Sequence, residues 1–160
     1  MARPVLLNSC ARAATAAEAR FRIGYPLVPS RATRVVALDD VAASAVRAVA
    51  GHAWHHSRFY LLGSPDGLHL ERVGSGESVP LAPELDGVDA VVMVAGTADG
   101  ASAAATIGAS CTVRGVMTAG LVLDDDETRD ALAALRPYAR VLMVPADVED
   151  LVELLRAIRA

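Results

Sequence analysis

The stretch Asp89–Gly108, DAVVMVAGTADGASAAATIG, decides the fold class. Its apolar run, Ala90–Val94, predicts a strand with core on both faces, because such a strand has no solvent-facing row of side chains. The small and polar residues Ala95–Gly100 predict a turn, and Ala101–Ile107 predicts the start of a helix that Asp99 is expected to cap. This corner, at the carboxyl end of a parallel strand, is where α/β sheets approach ligands. The same small residues would equally allow a helix to pack closely on the sheet without any ligand.

Strands and helices alternate along the chain after residue 33. The patterns predict strands at Arg34–Leu38, Val116–Leu123 and Arg140–Val144, and helices at Val41–Ala50, from residue 128 to Leu135, and at Val148–Arg159. Asp40 and Asp147 are expected to cap the first and last helices. Between them, Arg58–Gly63 and Leu68–Val73 predict strands, and Val79–Leu81 is expected to pair briefly. The fold predicted is a three-layer αβα sandwich around a mostly parallel Rossmann-like or flavodoxin-like sheet, with a β-hairpin insertion near residues 58–81.

The length of 160 residues predicts one domain with a full core. Residues 1–33 are expected to pack on it as a helix, Ser9–Ala19, followed by an irregular segment, Phe21–Val28. No apolar run approaches the ~18 residues of a membrane helix, so no membrane partner is predicted. The hydrophobic content of 53% then indicates a buried sheet with some subunit interface, hence a homo-oligomer. Two distant cysteines, Cys10 and Cys111, predict a reducing, cytoplasmic location.

The basic residues exclude several chemistries. All fifteen are arginine, so a P-loop lysine, a Schiff-base lysine and a pyridoxal enzyme are ruled out.

The charge is distributed unevenly along the chain. Residues 1–80 hold nine arginines against six acids (+3), whereas residues 81–160 hold six against thirteen (−7). The basic half is too sparse to predict nucleic-acid binding. Five arginines suit either a solvated surface or a patch for an acidic ligand or partner: Arg12, Arg20, Arg22, Arg31 and Arg34.

Two clusters contain residue types that bind metals. His52, His55 and His56 lie close together, and the i, i+4 spacing of His52 and His56 is one that zinc can use. No supporting ligand is evident, and an exposed loop or an interface is the preferred interpretation. The four acids Asp124–Glu127 suit either Mg²⁺ or the first turn of a helix, and the helix is preferred. No metal site is therefore predicted.

Residues 89–123 resemble a segment of the tubulin-like cell-division GTPases. The matching parts are an apolar strand ending in Ala-Gly, a loop that leads into a helix, and a strand that starts with Thr: DAVVMVAG, TADGASAAA and TAGLVL. The family's phosphate loop carries Gly-Gly-Gly-Thr-Gly, whereas this chain has Gly96-Thr97-Ala98-Asp99-Gly100. The resemblance implies a nucleotide at this loop, on a chain that lacks most of the family's glycines.

Residues 34–160 resemble the receiver domains of response regulators. The matching parts are the acid pair after the first strand, the switch Thr-Ala pair and a proline before the last helix: Asp39-Asp40, Thr118-Ala119 and Pro145. Val94 or Ala95 stands in place of the phosphoacceptor aspartate, and Val144 stands in place of the lysine. The resemblance implies a receiver-like domain that cannot be phosphorylated in the usual way.

The function predicted is non-catalytic binding of a small ligand or a partner protein, with no cofactor identified. Seven residues are expected near strand carboxyl ends and form the candidate site: Asp39, Asp40, Gly96, Thr97, Asp99, Gly100 and Thr118. One alternative is a nucleotide- or phosphate-handling enzyme with Mg²⁺ at Asp39-Asp40 or at Asp124–Asp126. Another is a structural homo-oligomer subunit. No nucleophile–base pair has a recognisable spacing, because Cys111 fits a core position after a short helix and neither Ser9 nor Ser57 has a nucleophile-elbow pattern.

Overall fold

A computed structural model describes residues 30–123 and 128–160. The predicted helix Ser9–Ala19, the irregular segment Phe21–Val28 and the acids Asp124–Glu127 lie outside these residues. Within them, strands and helices alternate as follows: β1 (Thr33–Ala37), α1 (Asp40–Ala50), β2 (Ser57–Leu62), β3 (His69–Arg72), β4 (Ser78–Pro80), α2 (Leu81–Glu84), β5 (Ala90–Ala95), α3 (Ala101–Arg114), β6 (Met117–Leu123), α4 (Thr128–Leu135), β7 (Val141–Ala146) and α5 (Val148–Ala157). The predicted α/β class is confirmed.

The described strands form one sheet in the order β4-β3-β2-β1-β5-β6-β7. β1 runs parallel to β2 and β5, and β6 runs parallel to β5 and β7. β3 pairs antiparallel with both β2 and β4. The sheet is therefore mostly parallel, as predicted, and its antiparallel pairings lie at the β4 end.

Two apolar clusters lie on opposite faces of the sheet, because successive side chains of a strand point to opposite sides. On one face, Val35 and Val92 pack with side chains of α1 and α5. On the other face, Val36 and Val91 pack with side chains of α3 and α4. All six residues of β5 are buried, which confirms the prediction from its continuous apolar run.

Helix α1 begins one residue earlier than predicted. Asp39 has extended backbone angles and its side chain accepts from the Ala42 N–H, so Asp39 is the N-cap and Asp40 is the first helical residue. The prediction of Asp40 as the cap is therefore wrong, because β1 already ends at Ala37. The spacing of apolar residues in this helix predicts that Val41 lies on the buried face with Ala42, Ala45, Val46 and Val49, but Val41 is 40% exposed. The buried face instead includes Ala43.

Helix α3 is twice the predicted length. It continues through Gly108 to Arg114 and ends at Gly115, which has a left-handed backbone (φ 68°). Gly108 lies inside the helix and does not end it. The absence of a side chain at this position lets Tyr138 pack against the helix, because a Cβ on Gly108 would lie 2.5 Å from the Tyr138 Cβ. Cys111 is consequently buried within the helix rather than after it. The predicted cap is also wrong, because Gly100 occupies the N-cap position and supplies no side-chain bond.

Two prolines lie inside regular elements, where the sequence patterns did not place them. Pro83 lies in the short helix α2, where its missing N–H costs nothing because first-turn N–H groups have no partner within the helix. Pro145, predicted to form a turn, lies within β7, which pairs with β6 and is the last strand of the described sheet. Edge strands tolerate proline.

The last helix follows its prediction closely. Asp147 accepts from the Asp150 N–H, and Asp150 accepts from the Asp147 N–H, forming a reciprocal capping box. Leu151, Val152 and Leu155 are buried along its apolar face. Among the described helices, none is long and apolar enough to cross a membrane.

Candidate functional site

Asp39 connects three elements at the carboxyl edge of the sheet. Its Oδ1 accepts from the Ala42 N–H at 2.8 Å, and its Oδ2 accepts from the Gly96 and Thr97 N–H groups at 2.8 and 3.0 Å. The carboxylate therefore joins the end of β1 to the first turn of α1 and to the loop after β5. This loop and helix start are the groups that a phosphate would use at such a corner. In this chain these N–H groups already donate to the Asp39 carboxylate.

The two glycines of the loop are required for packing. A Cβ on Gly96 would lie 2.5 Å from Val41 Cγ1, and a Cβ on Gly100 would contact the Leu38 Cβ and lie 2.6 Å from the Leu38 carbonyl oxygen. Both glycines are buried. Their small size lets α1 and α3 approach the end of β1, which is the ligand-free interpretation that the sequence left open.

An open cleft lies beside this corner, between the carboxyl ends of β1 and β2. It has a volume of about 410 Å³ and is lined by Leu38, Leu61 and Leu62, which follow or end those strands. Its charged lining residues are Asp39, Asp40, Arg47, Glu71 and Asp99. We call this feature the carboxyl-end cleft. Four carboxylates against one guanidinium give its lining a net charge of −3.

Three of the seven predicted site residues line this cleft: Asp39, Asp40 and Asp99. Gly96 and Thr97 lie behind it and donate to Asp39, and Gly100 begins α3. Thr97 also accepts from the Asp99 N–H at 3.2 Å through its hydroxyl, which shapes the loop.

Thr118 is not near these residues, and its predicted position at a strand carboxyl end is wrong. It is the second residue of β6 and pairs in register with Val91, near the amino end of β5. Its hydroxyl donates to the Tyr138 carbonyl at 2.7 Å and the residue is buried. Thr118 therefore stabilises the connection before β7, near the amino ends of the parallel strands.

Arg47, Ser64 and Glu71 also line the cleft, and the sequence analysis did not select them. Arg47 lies in α1, and Glu71 stands opposite Leu61 in the β2–β3 register. Neither residue belongs to a sequence motif. The two residues come close together only because β3 pairs with β2. Ser64 donates to Asp66 at 2.6 Å and accepts from the His69 N–H at 3.0 Å, so its hydroxyl stabilises the β2–β3 turn.

Two of the three clustered histidines make contacts with other side chains. His52 stacks on Trp54 with ring centroids 6.2 Å apart, and His56 Nδ1 lies 2.8 Å from Ser30 Oγ. His52 and His55 are exposed around a second cleft near Trp54 and Arg156. Across residues 30–123 and 128–160, no group of three or more His, Cys, Asp or Glu residues is arranged to hold a metal ion.

Glu84, the last residue of α2, is the centre of an ionic cluster with side chains from β1, β2 and β3. Its carboxylate is 11% exposed and accepts from Tyr60 Oη, from Arg58 at 3.2 Å and from Arg72 at 3.0 Å. Arg34 Nε donates to the Glu84 backbone carbonyl at 3.0 Å. Burial raises the pKa of Glu84, but the Tyr60 and Arg58 hydrogen bonds and the arginine charges outweigh it, so the pKa lies below its usual value.

The same cluster shifts two of its other members. Burial, and then the hydrogen bond to Glu84, raise the pKa of Tyr60. Burial lowers the pKa of Arg34, against the opposing charges of Tyr60 and Glu84. At neutral pH Glu84 is a carboxylate and Tyr60 is a neutral phenol, and the bonds between them hold α2 against the strands. We call this group of residues the clasp: Arg34, Arg58, Tyr60, Arg72 and Glu84.

Cys111 is unsuited to nucleophilic catalysis. Its side chain is buried in the core under α3, and burial raises the pKa of its thiol to about 11. The thiolate is the reactive form, so very little of it exists at neutral pH.

No protein-family model, no curated protein and no solved structure matches this chain. The function is therefore inferred from the chain's own geometry.

Proposed function

We propose that this chain is a non-catalytic α/β domain that binds a small ligand or a partner protein at the carboxyl-end cleft. We also propose the finer fold: a three-layer αβα sandwich in which β3 and β4 are an inserted antiparallel pair. The parallel strands stand in the order second, first, third, fourth, fifth, which is the flavodoxin-like order. In such folds ligands bind outside the strand carboxyl ends, where this cleft opens.

The charge of the cleft is the observation that carries the proposal. Asp40 and Asp99 are exposed in its lining and, unlike Asp39, accept no described side-chain hydrogen bond. A net −3 lining favours a ligand with a positively charged group, such as a small amine or an arginine or lysine of a partner protein. Arg47 adds one cation, which suits a ligand that also carries an acceptor.

Nucleotide or phosphate handling is the less favoured proposal. The backbone N–H groups of Gly96 and Thr97, which would cradle a phosphate, are already bonded to Asp39. The same bonds occupy the carboxylate that Mg²⁺ would need at Asp39-Asp40. Asp124–Asp126, the other proposed Mg²⁺ position, lie outside the described residues.

A thermal-shift screen tests the proposal. The panel contains small amines, polyamines and basic peptides, together with nucleotides, dinucleotides, flavins and divalent metals. A ligand that binds only the folded state stabilises it by RT ln(1 + [L]/Kd), about 2.7 kcal/mol at a hundredfold excess over Kd. We expect a cationic ligand to raise the melting temperature of the wild type and to lose most of that effect in Asp40→Asn/Asp99→Asn.

Asp130→Asn is the matched control, because Asp130 is an exposed acid on α4 away from the cleft. It should retain the full shift. A nucleotide shift that requires Mg²⁺ and is lost in Asp40→Asn/Asp99→Asn would instead support the enzyme alternative with Mg²⁺ at Asp39-Asp40. If no cationic compound or peptide shifts the wild type, the cleft proposal is wrong.

We also propose that the chain self-associates and acts in a reducing, cytoplasmic compartment. The support for self-association is β7, the last strand of the described sheet, in which Val141 is 52% exposed. An exposed apolar side chain on the last strand offers a packing contact to a second copy, which would pack on the side chains of β7 rather than extend its ladder, because Pro145 has no N–H to donate. Sedimentation velocity at several concentrations measures this directly, and a single monomeric species would contradict it.

A further inference from the structure

The cleft beside Trp54 joins three parts of the chain that are far apart in the sequence. It has a volume of about 600 Å³, and its described lining comes from the α1–β2 connection, the end of α5 and Ser30. The α1–β2 connection contributes His52, Ala53 and His55, which are exposed, and Trp54, which is half-buried. We call this feature the Trp54 cleft.

Trp54 is a fixed aromatic side chain in this lining. Its Nε1 donates to the Val49 carbonyl at 2.9 Å, so the one polar atom of the indole is already satisfied. The ring also packs with His52 and with Phe59, at a centroid distance of 6.2 Å in both cases. The indole is therefore held in one orientation, and its half-buried ring would be stabilised by an apolar neighbour.

Ser30 fixes the point at which the preceding chain reaches the cleft. Its Oγ lies 2.8 Å from His56 Nδ1, and the N–H of the next residue, Arg31, donates to the Arg159 carbonyl at 2.9 Å. Ser30 and Arg159 both line the cleft. Because consecutive Cα atoms are about 3.8 Å apart, the three residues before Ser30 cannot lie more than about 12 Å from it.

The sequence before Ser30 has side chains that suit an apolar cleft. Residues 21–29 are FRIGYPLVP, in which large apolar side chains stand at every second position: Phe21, Ile23, Tyr25 and Leu27. An extended segment with this pattern presents all four on one side, because side chains alternate along an extended backbone. Its one charged residue, Arg22, stands near the end that is farther from Ser30.

We propose that residues 21–29 of the same chain occupy the Trp54 cleft, with Leu27 and Val28 beside the indole ring. The covalent connection to Ser30 makes this docking intramolecular, so it avoids the loss of translational and rotational freedom that a separate molecule pays on association. A separate ligand or a second copy would pay that cost and would compete with the chain's own segment. The docked segment would join the α1–β2 connection to the end of α5.

This docking surface is separate from the carboxyl-end cleft. Ser30 precedes β1 and residues 52–55 precede β2, so the Trp54 cleft lies at the amino ends of these parallel strands. The carboxyl-end cleft adjoins Leu61 and Leu62 at the other end of β2. The docking proposal therefore stands or fails independently of the proposed function.

Quenching of the fluorescence of the full chain by acrylamide tests the proposal, because Trp54 is the chain's only tryptophan. In the wild type we expect Trp54 to be shielded to the same extent at every protein concentration. Leu27→Ser/Val28→Ser should shift the emission maximum to the red and raise the quenching constant, because the segment loses the apolar side chains that hold it on the ring. Leu6→Ser/Leu7→Ser is the matched control: it makes the same change farther from Ser30 and should leave both values unchanged.

Crosslinking identifies the occupant by a measurement that does not depend on stability. The photoreactive amino acid p-benzoylphenylalanine replaces Leu27 in the full chain, and the irradiated product is digested with trypsin. We expect a product with the mass of a single chain, in which the fragment of residues 23–31 is joined to the fragment of residues 48–58, which contains Trp54.

Four results would overturn the proposal. The quenching constant could be unchanged in Leu27→Ser/Val28→Ser, or it could rise equally in that variant and in Leu6→Ser/Leu7→Ser. Position 27 could crosslink only to fragments outside the Trp54 cleft. Shielding that falls on dilution, with the crosslinked product at the mass of two chains, would show that a second copy supplies the occupant.

Discussion

At the scale of single residues, Asp39 has a structural role that its position concealed. An acid after a strand and before a helix is consistent with metal binding, phosphate chemistry or capping. The three backbone bonds to its carboxylate select capping, extended to a second element through Gly96 and Thr97. Its neighbour Asp40 is exposed and remains available to a ligand.

The first prediction compares these adjacent acids. Asp39→Ala should lower the free energy of unfolding by about 2–4 kcal/mol, because an N-cap contributes about 1 kcal/mol and two more charge-assisted bonds are lost. Asp40→Ala should change it by about 0.5 kcal/mol, the dipole effect of a first-turn acid. Urea unfolding at pH 7 measures both. Equal effects for the two variants would refute the assigned role of Asp39.

At the scale of elements, α3 and β1 are in contact through glycine. Gly100→Ala should destabilise the fold by about 2 kcal/mol or more, because its Cβ would meet the backbone of Leu38, which cannot yield as a flexible side chain can. Gly51→Ala is the matched change, since its Cβ would meet only the Ala48 carbonyl at 3.6 Å and its φ is −72°. That variant should be stabilised by about 0.4–1 kcal/mol through the unfolded chain. Thermal unfolding of both variants is the measurement. A lower melting temperature for Gly100→Ala alone would support close packing at Gly100, whereas similar changes in both variants would indicate a general effect of glycine on the unfolded chain.

The clasp around Glu84 gives a pH-dependent prediction for the antiparallel strands. The folded pKa of Glu84 lies below its unfolded value, so its stabilisation is complete above the unfolded pKa and is lost as pH falls through the folded pKa. Glu84→Gln should lower the free energy of unfolding by about 2–3 kcal/mol at pH 7. The difference from wild type should shrink progressively below about pH 5.

Glu77→Gln is the control for the clasp, because Glu77 is 57% exposed and pairs with Arg72 alone in the described structure. It should cost less than about 1 kcal/mol at any pH. Urea midpoints of the three proteins from pH 3 to pH 8 provide the comparison. A constant difference between wild type and Glu84→Gln over that range would contradict the assignment.

At the scale of the whole molecule, the succession of strands and helices along the chain followed from local patterns more readily than the site did. Alternation of apolar runs with amphipathic helices predicted β1, β5, β6 and α5 to within about two residues, because their signals are local. The length of α3 was missed because Gly108 packs against Tyr138, a residue thirty positions away. The cleft lining was missed in part for the same reason: Glu71 reaches it only through the β2–β3 pairing.

The bonds of Asp39 have one more consequence, which concerns chemical rescue. Truncation to alanine or glycine leaves the Gly96 and Thr97 N–H groups and the start of α1 facing a carboxylate-sized space. Formate or acetate from solution matches the lost group, so millimolar formate should restore part of the stability of Asp39→Gly and leave the wild type unaffected. The chain would then behave as a formate receptor whose natural occupant is one of its own side chains.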